Sequence, residues 1–132
     1  MRQHLFRLWI AAGAAAGLLG VAMAAFTSHA SVDPAARAML HSAVEMQFWH
    51  ALALIAVGVW ARFGDGRIGD GRVGGGILAH WAGGALLLGM LGFCGGIYSL
   101  ALLGIRLPMV APAGGTLLIG WALFGFSALR AR

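Results

Sequence analysis

The chain has 132 residues, of which 61% are hydrophobic and 10% are charged. An ordinary globular domain carries about a quarter charged residues, so a soluble fold of this size could not bury so much apolar surface. The formal net charge of +5 comes from arginines that lie between apolar runs rather than on one helical face, which disfavours nucleic-acid binding. The composition predicts an all-α polytopic membrane protein, and the single cysteine, Cys94, excludes an internal disulfide.

Residues 8–26 form the first predicted span. They contain no charged residue, and as a helix they would cover roughly 29 Å, which is one hydrocarbon thickness. A cleaved signal peptide is the alternative, because Arg2 and Arg7 precede the run and Ala22-Met23-Ala24 resembles a cleavage site. The apolar region of a signal peptide is shorter, about 7–15 residues, so we expect a retained span.

The second predicted span covers residues 43–61, within a helix that begins earlier. Asp33 is placed to cap this helix and Pro34 to occupy its first position. From Pro34 to about Ala61 the helix would be roughly 42 Å long, more than the bilayer core needs. Two further apolar runs predict spans over residues 77–103 and 110–129. The whole chain is therefore predicted to be one domain, a compact bundle of four transmembrane helices.

The arginines predict the orientation of these spans. Seven of them lie in the N-terminal segment, the 62–72 loop and the C-terminus, whereas Arg37 and Arg106 lie on the other side. The positive-inside rule then places both termini in the cytoplasm. Within the loop, Gly-x-Gly-x-x-Gly patterns start at Gly64 and Gly69. No predicted strand precedes them, so we expect a flexible loop that touches lipid phosphates rather than a nucleotide site.

The second helix carries polar side chains on two faces. Arg37, His41 and Glu45 recur every four residues and form one stripe, whereas Gln47 and His50 lie on nearly the opposite side. A carboxylate at mid-bilayer costs ~2.5–3.5 kcal/mol on the insertion scale, so neither face should be open to lipid. We therefore expect a central helix whose acid and imidazole are screened by neighbouring spans. Pairing with Arg37 or His41, or protonation after desolvation, would reduce the cost of placing Glu45 there.

The candidate site is a polar pocket that opens to the outer side, with the predicted members His29, His41, Glu45, Gln47, His50 and Tyr98. Three interpretations remain open. The side chains form interhelical hydrogen bonds that set helix register. Alternatively, Glu45 and His50 pass protons or small solutes. In the third, His29, His41 and His50 bind a metal or haem, although no tight His-x-x-His or Cys-x-x-Cys spacing is present.

Glycines in the spans predict close helix packing, because small residues let two backbones approach. The predicted packing positions are Gly13, Gly17, Gly92, Gly96, Gly114 and Gly115. If the polar side chains hold the bundle together, Glu45→Ala and His50→Ala should weaken it more than Arg67→Ala, since each would leave a buried partner unpaired.

Short motifs are spread over all four spans: Ala25-Phe26-Thr27-Ser28-His29, Glu45-x-Gln47-x-x-His50, the run from Phe93 to Ala101 that contains Tyr98, and Pro112-Ala113-Gly114-Gly115 with Gly120-Trp121. In order and spacing they resemble the YgdD-like family of small bacterial inner-membrane proteins, the domain-of-unknown-function family 423. The family pattern near His29 is richer in glycine, and the 62–72 loop and His80 have no counterpart. The resemblance implies a four-span membrane protein and brings no established activity.

Together these features predict a non-enzymatic integral protein of the bacterial inner membrane, structural in role or an accessory subunit of a larger membrane complex. We expect no cofactor. The expected partners are the lipid bilayer and other membrane subunits or a second copy of the chain, and not nucleic acid.

Overall fold

The computed structural model describes residues 4–65, 67–68, 71–72 and 76–130, and over these ranges it forms four long helices and one short hairpin. The helices are α1 (Leu5–His29), α2 (Pro34–Asp65), α3 (Gly76–Leu103) and α4 (Val110–Leu129). All four are long and apolar enough to cross a membrane. The helix bounds contain the predicted spans, and α4 coincides with the fourth span.

The loop predicted at 62–72 is partly ordered instead. Helix α2 continues to Asp65, and the strands β1 (Arg67–Ile68) and β2 (Gly71–Arg72) then pair antiparallel, with Arg67 opposite Arg72. A dinucleotide fingerprint belongs to a βαβ unit, whereas these two strands pair antiparallel with no helix between them. Gly66, Gly69 and Gly74 of the two glycine patterns lie outside the described residues.

Local sequence signals set two of the helix ends. Asp33 Oδ1 accepts hydrogen bonds from the backbone N–H groups of Ala35 and Ala36, at 2.9 and 3.1 Å, which confirms the predicted cap before Pro34. Helix α3 ends at Leu103, and Gly104 follows with a φ of +68°, a left-handed conformation that glycine adopts without strain. The Gly104 N–H bonds back to the Leu100 carbonyl at 3.1 Å, as in the αL motif of helix C-termini.

Helices α2 and α3 form the central pair of the bundle. Helix α1 packs mainly on α2, α4 packs mainly on α3, and α2 and α3 pack on each other. Half of the most apolar 18 residues of α2 are buried, against 17–28% in the other three helices. The prediction of a centrally packed second helix is therefore confirmed.

The core between the helices is built from small residues and a few branched ones. Its fully buried large side chains are Leu40, Leu54, Val57 and Leu86, and most of the other buried apolar residues are alanines. Without a hydrophobic force between helices in lipid, association rests on van der Waals packing, and alanine and glycine bring backbones close.

The structure places four of the six predicted packing glycines against a neighbouring helix. A Cβ on Gly13 would lie 2.6 Å from the Ala51 carbonyl oxygen, and one on Gly92 would lie 2.8 Å from Ala113 Cβ. A Cβ on Gly96 would collide with Val110, whereas Gly114 makes only ordinary contact with Phe93 at 3.8 Å.

Gly17 and Gly115 differ from this expectation, since a Cβ on either would meet nothing within 4 Å. The buried seam of α1 runs through Gly13, Ala16 and Gly20, so Gly17 lies one position beside it. Four glycines that were not among the predicted packing positions pack tightly against a neighbouring helix: Gly58, Gly83, Gly89 and Gly120.

Candidate functional site

Gln47 joins three helices near the centre of the bundle. Its Nε2 donates a hydrogen bond of 2.7 Å to the Ala16 carbonyl on α1, and its Oε1 accepts one of 2.6 Å from the Tyr98 hydroxyl on α3. The side chain is only 6% exposed. Because an amide offers both donor and acceptor, this single residue fixes α1 and α3 against α2.

His50 faces the fourth helix, on the other covered side of α2. Its Nδ1 lies 2.6 Å from the Met46 carbonyl, which can only accept, so Nδ1 carries the proton. Nε2 is then the acceptor for the Trp121 indole N–H, at 3.2 Å, and the two rings meet edge to face. With both nitrogens engaged, the neutral imidazole is fully satisfied and serves as a tie between α2 and α4.

Arg37 hydrogen-bonds the C-terminal end of α1 rather than Glu45. Its guanidinium donates to the Thr27 and Ala30 carbonyls at 2.5 and 2.7 Å. The last carbonyls of a helix lack intrahelical partners and lie at the negative end of its dipole, so they compete well for an arginine. Arg37, one of the possible partners that the sequence left open for Glu45, is therefore engaged elsewhere.

Two tryptophans tie the helices together at the other end of the bundle. The Trp9 indole N–H donates to His80 Nδ1 at 2.9 Å, which links α1 to α3. The Trp60 indole N–H donates to the Ser127 hydroxyl at 3.1 Å, which links α2 to α4. Over the described residues no buried side-chain nitrogen or oxygen lacks a partner. Within the described ranges, side-chain hydrogen bonds thus connect α1 with α2, α1 with α3, α2 with α3 and α2 with α4, while α3 and α4 pack closely through glycines.

Unlike these buried polar groups, Glu45 is exposed. It lies on the one open face of α2, which we call the α2 stripe and which consists of His41, Glu45, Trp49, Leu52, Ala56, Val59 and Phe63. From Glu45 onward the spacing alternates four and three residues, the period of a helix-packing seam. Among the described residues, Glu45 has no hydrogen-bond or ion-pair partner. The expectation that neighbouring spans screen this acid is wrong, because packing on α1, α3 and α4 turns the Gln47 and His50 faces inward.

The depth of Glu45 follows from its neighbours on α4. That helix has 20 residues, roughly 30 Å, and so matches the hydrocarbon thickness. Gly114, about one turn from the start of α4, lines a groove together with Met46 and His50. Glu45, next to Met46 along α2, therefore lies at about the level of the second turn of α4, roughly 6 Å from the N-terminal end of that helix.

The corresponding open face of α3 shows that Glu45 is unusual. Its large exposed side chains are Ile77, Trp81, Leu88 and Leu91, which lie four, seven and three residues apart on one helical face and carry no charge. Such a surface is suited to lipid. The α2 stripe combines similar apolar residues with an acid that lipid does not solvate.

The structure divides the six predicted pocket residues among several places. Gln47 and Tyr98 line a lateral groove of about 460 Å³ between α1 and α3. His41 and Glu45 line a separate surface groove with Phe48 and Trp49, and His29 is exposed at the end of α1. His50 lines a third groove beside Trp121. The prediction of a single convergent pocket is thus wrong. Glu45 and His50 are five positions apart and point to different sides of α2.

This division bears on the two chemical alternatives. Glu45 and His50 face different grooves and do not form a continuous relay. His29, His41 and His50 do not come together, and within the described ranges no group of three His, Cys, Asp or Glu side chains is arranged to hold a metal ion. Trp121 bonds the predicted residue His50, and Arg37 bonds the end of α1, the helix that carries His29. Neither was among the predicted site residues.

Over the described residues, the fold and its polar ties define a four-helix integral membrane protein with a hydrogen-bonded interior and one open, acid-bearing stripe. The chain belongs to the family described as protein of unknown function DUF423, whose model matches residues 22–115. That match spans most of the chain and includes Gln47, His50 and Tyr98.

Curated relatives support the same assignment over nearly the full length. The UPF0382 membrane protein SH2409 of Staphylococcus haemolyticus is 32% identical over 129 residues, which is 94% of this chain and 97% of the relative. The UPF0382 inner membrane protein YgdD of Escherichia coli K12 is 30% identical and covers 94% and 91%. A UPF0382 membrane protein of Staphylococcus epidermidis is 28% identical, with 94% and 97% covered. No solved structure matches the chain.

Proposed function

We propose that this protein is a non-enzymatic accessory component of a membrane assembly and that it works by docking another transmembrane helix on its α2 stripe. The observation that carries the proposal is the open Glu45, about one turn past the level at which the apolar helix α4 begins and without a partner among the described residues. A carboxylate in that position is unfavourable against acyl chains and favourable against a helix that supplies a donor.

The closed interior supports a structural role for the remaining polar groups. Gln47 and Tyr98 bond each other, and His50 uses both ring nitrogens between Met46 and Trp121. Groups that hold helices together are constrained in position and protonation. They suit a rigid scaffold that presents one surface, rather than a site that exchanges protons or ligands.

The proposal includes a bacterial inner-membrane location with both termini in the cytoplasm. Seven arginines lie on the side of the termini and of the α2–α3 connection, whereas Arg37 and Arg106 lie on the other side. This asymmetry supports the orientation through the positive-inside rule. A C-terminal fluorescent-protein fusion should be bright and a C-terminal alkaline phosphatase fusion inactive, and the reverse result would overturn the orientation.

The docking role can be tested with a photo-crosslinking amino acid in native membranes. Leu52 on the α2 stripe and Leu88 on α3 are 60% and 67% exposed, so they form a matched pair. We expect the probe at Leu52 to give a protein adduct of defined mass that is lost in the Glu45→Leu variant. The probe at Leu88 should react with lipid. Lipid-only adducts at Leu52 would contradict the proposed function.

A further inference from the structure

The α2 stripe is arranged as a self-complementary surface. Glu45 is the acceptor, and the residues one turn to either side of it, His41 and Trp49, carry N–H donors. Neither His41 nor Trp49 is engaged in a hydrogen bond among the described residues, and Trp49 is 60% exposed. An identical face, placed parallel to the first, offers its donors to this acceptor and its acceptor to these donors.

The lower part of the α2 stripe provides the packing such a contact needs. Below Glu45, the exposed side chains alternate in size, with Leu52 at 60% and Val59 at 44% exposed on either side of the small Ala56. Residues at four- and three-residue spacing interdigitate with a second helix at a crossing angle of about 20°. The stripe is continuous over about five turns, from Glu45 to Phe63.

We propose that the partner on the α2 stripe is a second copy of this chain, in a parallel dimer whose two-fold axis is normal to the membrane. This inference rests on the proposed docking function. Two copies inserted with the same orientation hold their Glu45 residues at the same depth. Each carboxylate then lies within one turn of the partner's Trp49 indole and the partner's His41 imidazole, which donate hydrogen bonds to it.

Two other occupants of the stripe fit less well. Acyl chains supply no donor to Glu45, and the uncharged face of α3 shows what a lipid-facing stripe of this protein looks like. An unrelated helix would need to carry a hydrogen-bond donor at the same depth to match the acid. The second copy needs no additional group, because the donors are already on the stripe and at the required depth.

Symmetric disulfides test the identity of the partner. In a Cys94→Ala background, single cysteines at Leu52 and at Val59 should form dimers of twice the chain mass on oxidation in native membranes. A cysteine at Leu88, which is equally exposed on α3, should not. Co-expression of two differently tagged copies should give a mixed-tag product. The same monomer yield and thermal midpoint as the parent would establish that each variant folds.

The role of the acid is tested in reconstituted liposomes by energy transfer between labelled copies. Glu45→Leu removes the acceptor from both copies and should raise the dimer dissociation constant roughly 8- to 300-fold, the range expected for the loss of two interhelical hydrogen bonds in membranes. Glu45→Gln keeps an acceptor and should retain most of the association. An unchanged dimer dissociation constant in the Glu45→Leu variant would overturn the inference.

The two proposals fail in different ways. If the probe at Leu52 gives a protein adduct but no Leu52 or Val59 homodimer forms, the second copy is excluded while the docking function stands. If the probe at Leu52 reacts only with lipid and no disulfide dimer forms, both proposals fail.

Discussion

The hydroxyl of Tyr98 on α3 donates a 2.6 Å hydrogen bond to Oε1 of Gln47 on α2. The same amide donates through Nε2 to the Ala16 carbonyl on α1, so one side chain connects three of the four helices. In lipid, no water is present to hydrogen-bond these groups if the helices separate. The bonds therefore fix the register between helix surfaces that are otherwise uniformly apolar.

Removal of the Tyr98 hydroxyl should destabilise the bundle. Tyr98→Phe leaves Gln47 Oε1 without its donor, and we expect a loss of about 0.6–1.7 kcal/mol, the range for interhelical bonds in membranes. A double-mutant cycle with Gln47→Leu, followed by thermal unfolding in mild detergent, should show coupling of similar size. Thr116→Val is the control, because that hydroxyl bonds only the Pro112 carbonyl of its own helix. Additive effects of the two changes would contradict the bond.

The tie between His50 and Trp121 makes a spectroscopic prediction. We expect nitrogen NMR of His50 to show a neutral ring protonated at Nδ1, because the Met46 carbonyl can only accept a hydrogen bond. Trp121→Phe removes the donor to Nε2 and should cost about 0.6–1.7 kcal/mol. Trp81→Phe, on the exposed face of α3, should leave stability unchanged. A ring protonated at Nε2 would be inconsistent with this geometry.

Two glycines on α1 should respond in opposite ways to the same substitution. Gly13→Ala places a methyl group 2.6 Å from the Ala51 carbonyl oxygen, and relief of that overlap should cost about 1–3 kcal/mol. Gly17→Ala meets open space, so stability should stay the same or rise by up to about 1 kcal/mol from helix propensity. Thermal midpoints of the two variants in one detergent provide the measurement. Equal losses would show that α1 packs with a different rotation.

Glu45 and His50 should differ in their effect on the isolated bundle. His50→Ala leaves the Trp121 indole without its acceptor and opens a cavity, so we expect a loss of about 1–3 kcal/mol in unfolding free energy. Glu45→Ala removes no hydrogen bond or ion pair within the described chain and should stay within about 0.5 kcal/mol. This revises the sequence-based expectation that both changes weaken the bundle. It is checked on monomeric protein in detergent, where a large loss for Glu45→Ala would indicate an intramolecular partner.

Local signals made much of the fold predictable. The Asp33 cap and Pro34 start α2 as expected, because capping involves only neighbouring residues. The charge-free run before Phe26 and the apolar run after Met109 locate α1 and α4, since a span must satisfy its own backbone within one segment. The partners of the polar groups were harder to predict. Gln47 bonds residues 31 and 51 positions away, and no local pattern indicates such a contact.

The sequence by itself determined the class of the protein, the number of spans and the presence of polar groups on two faces of α2, because hydropathy and helical period act within a segment. Only the tertiary structure decided which of those faces is covered. That choice depends on how each helix is rotated about its axis, and contacts such as Gly13 on Ala51 and Trp121 on His50 set the rotation. They bury Gln47 and His50 and leave Glu45 open, because close packing between distant segments fixes a rotation that hydropathy alone does not specify.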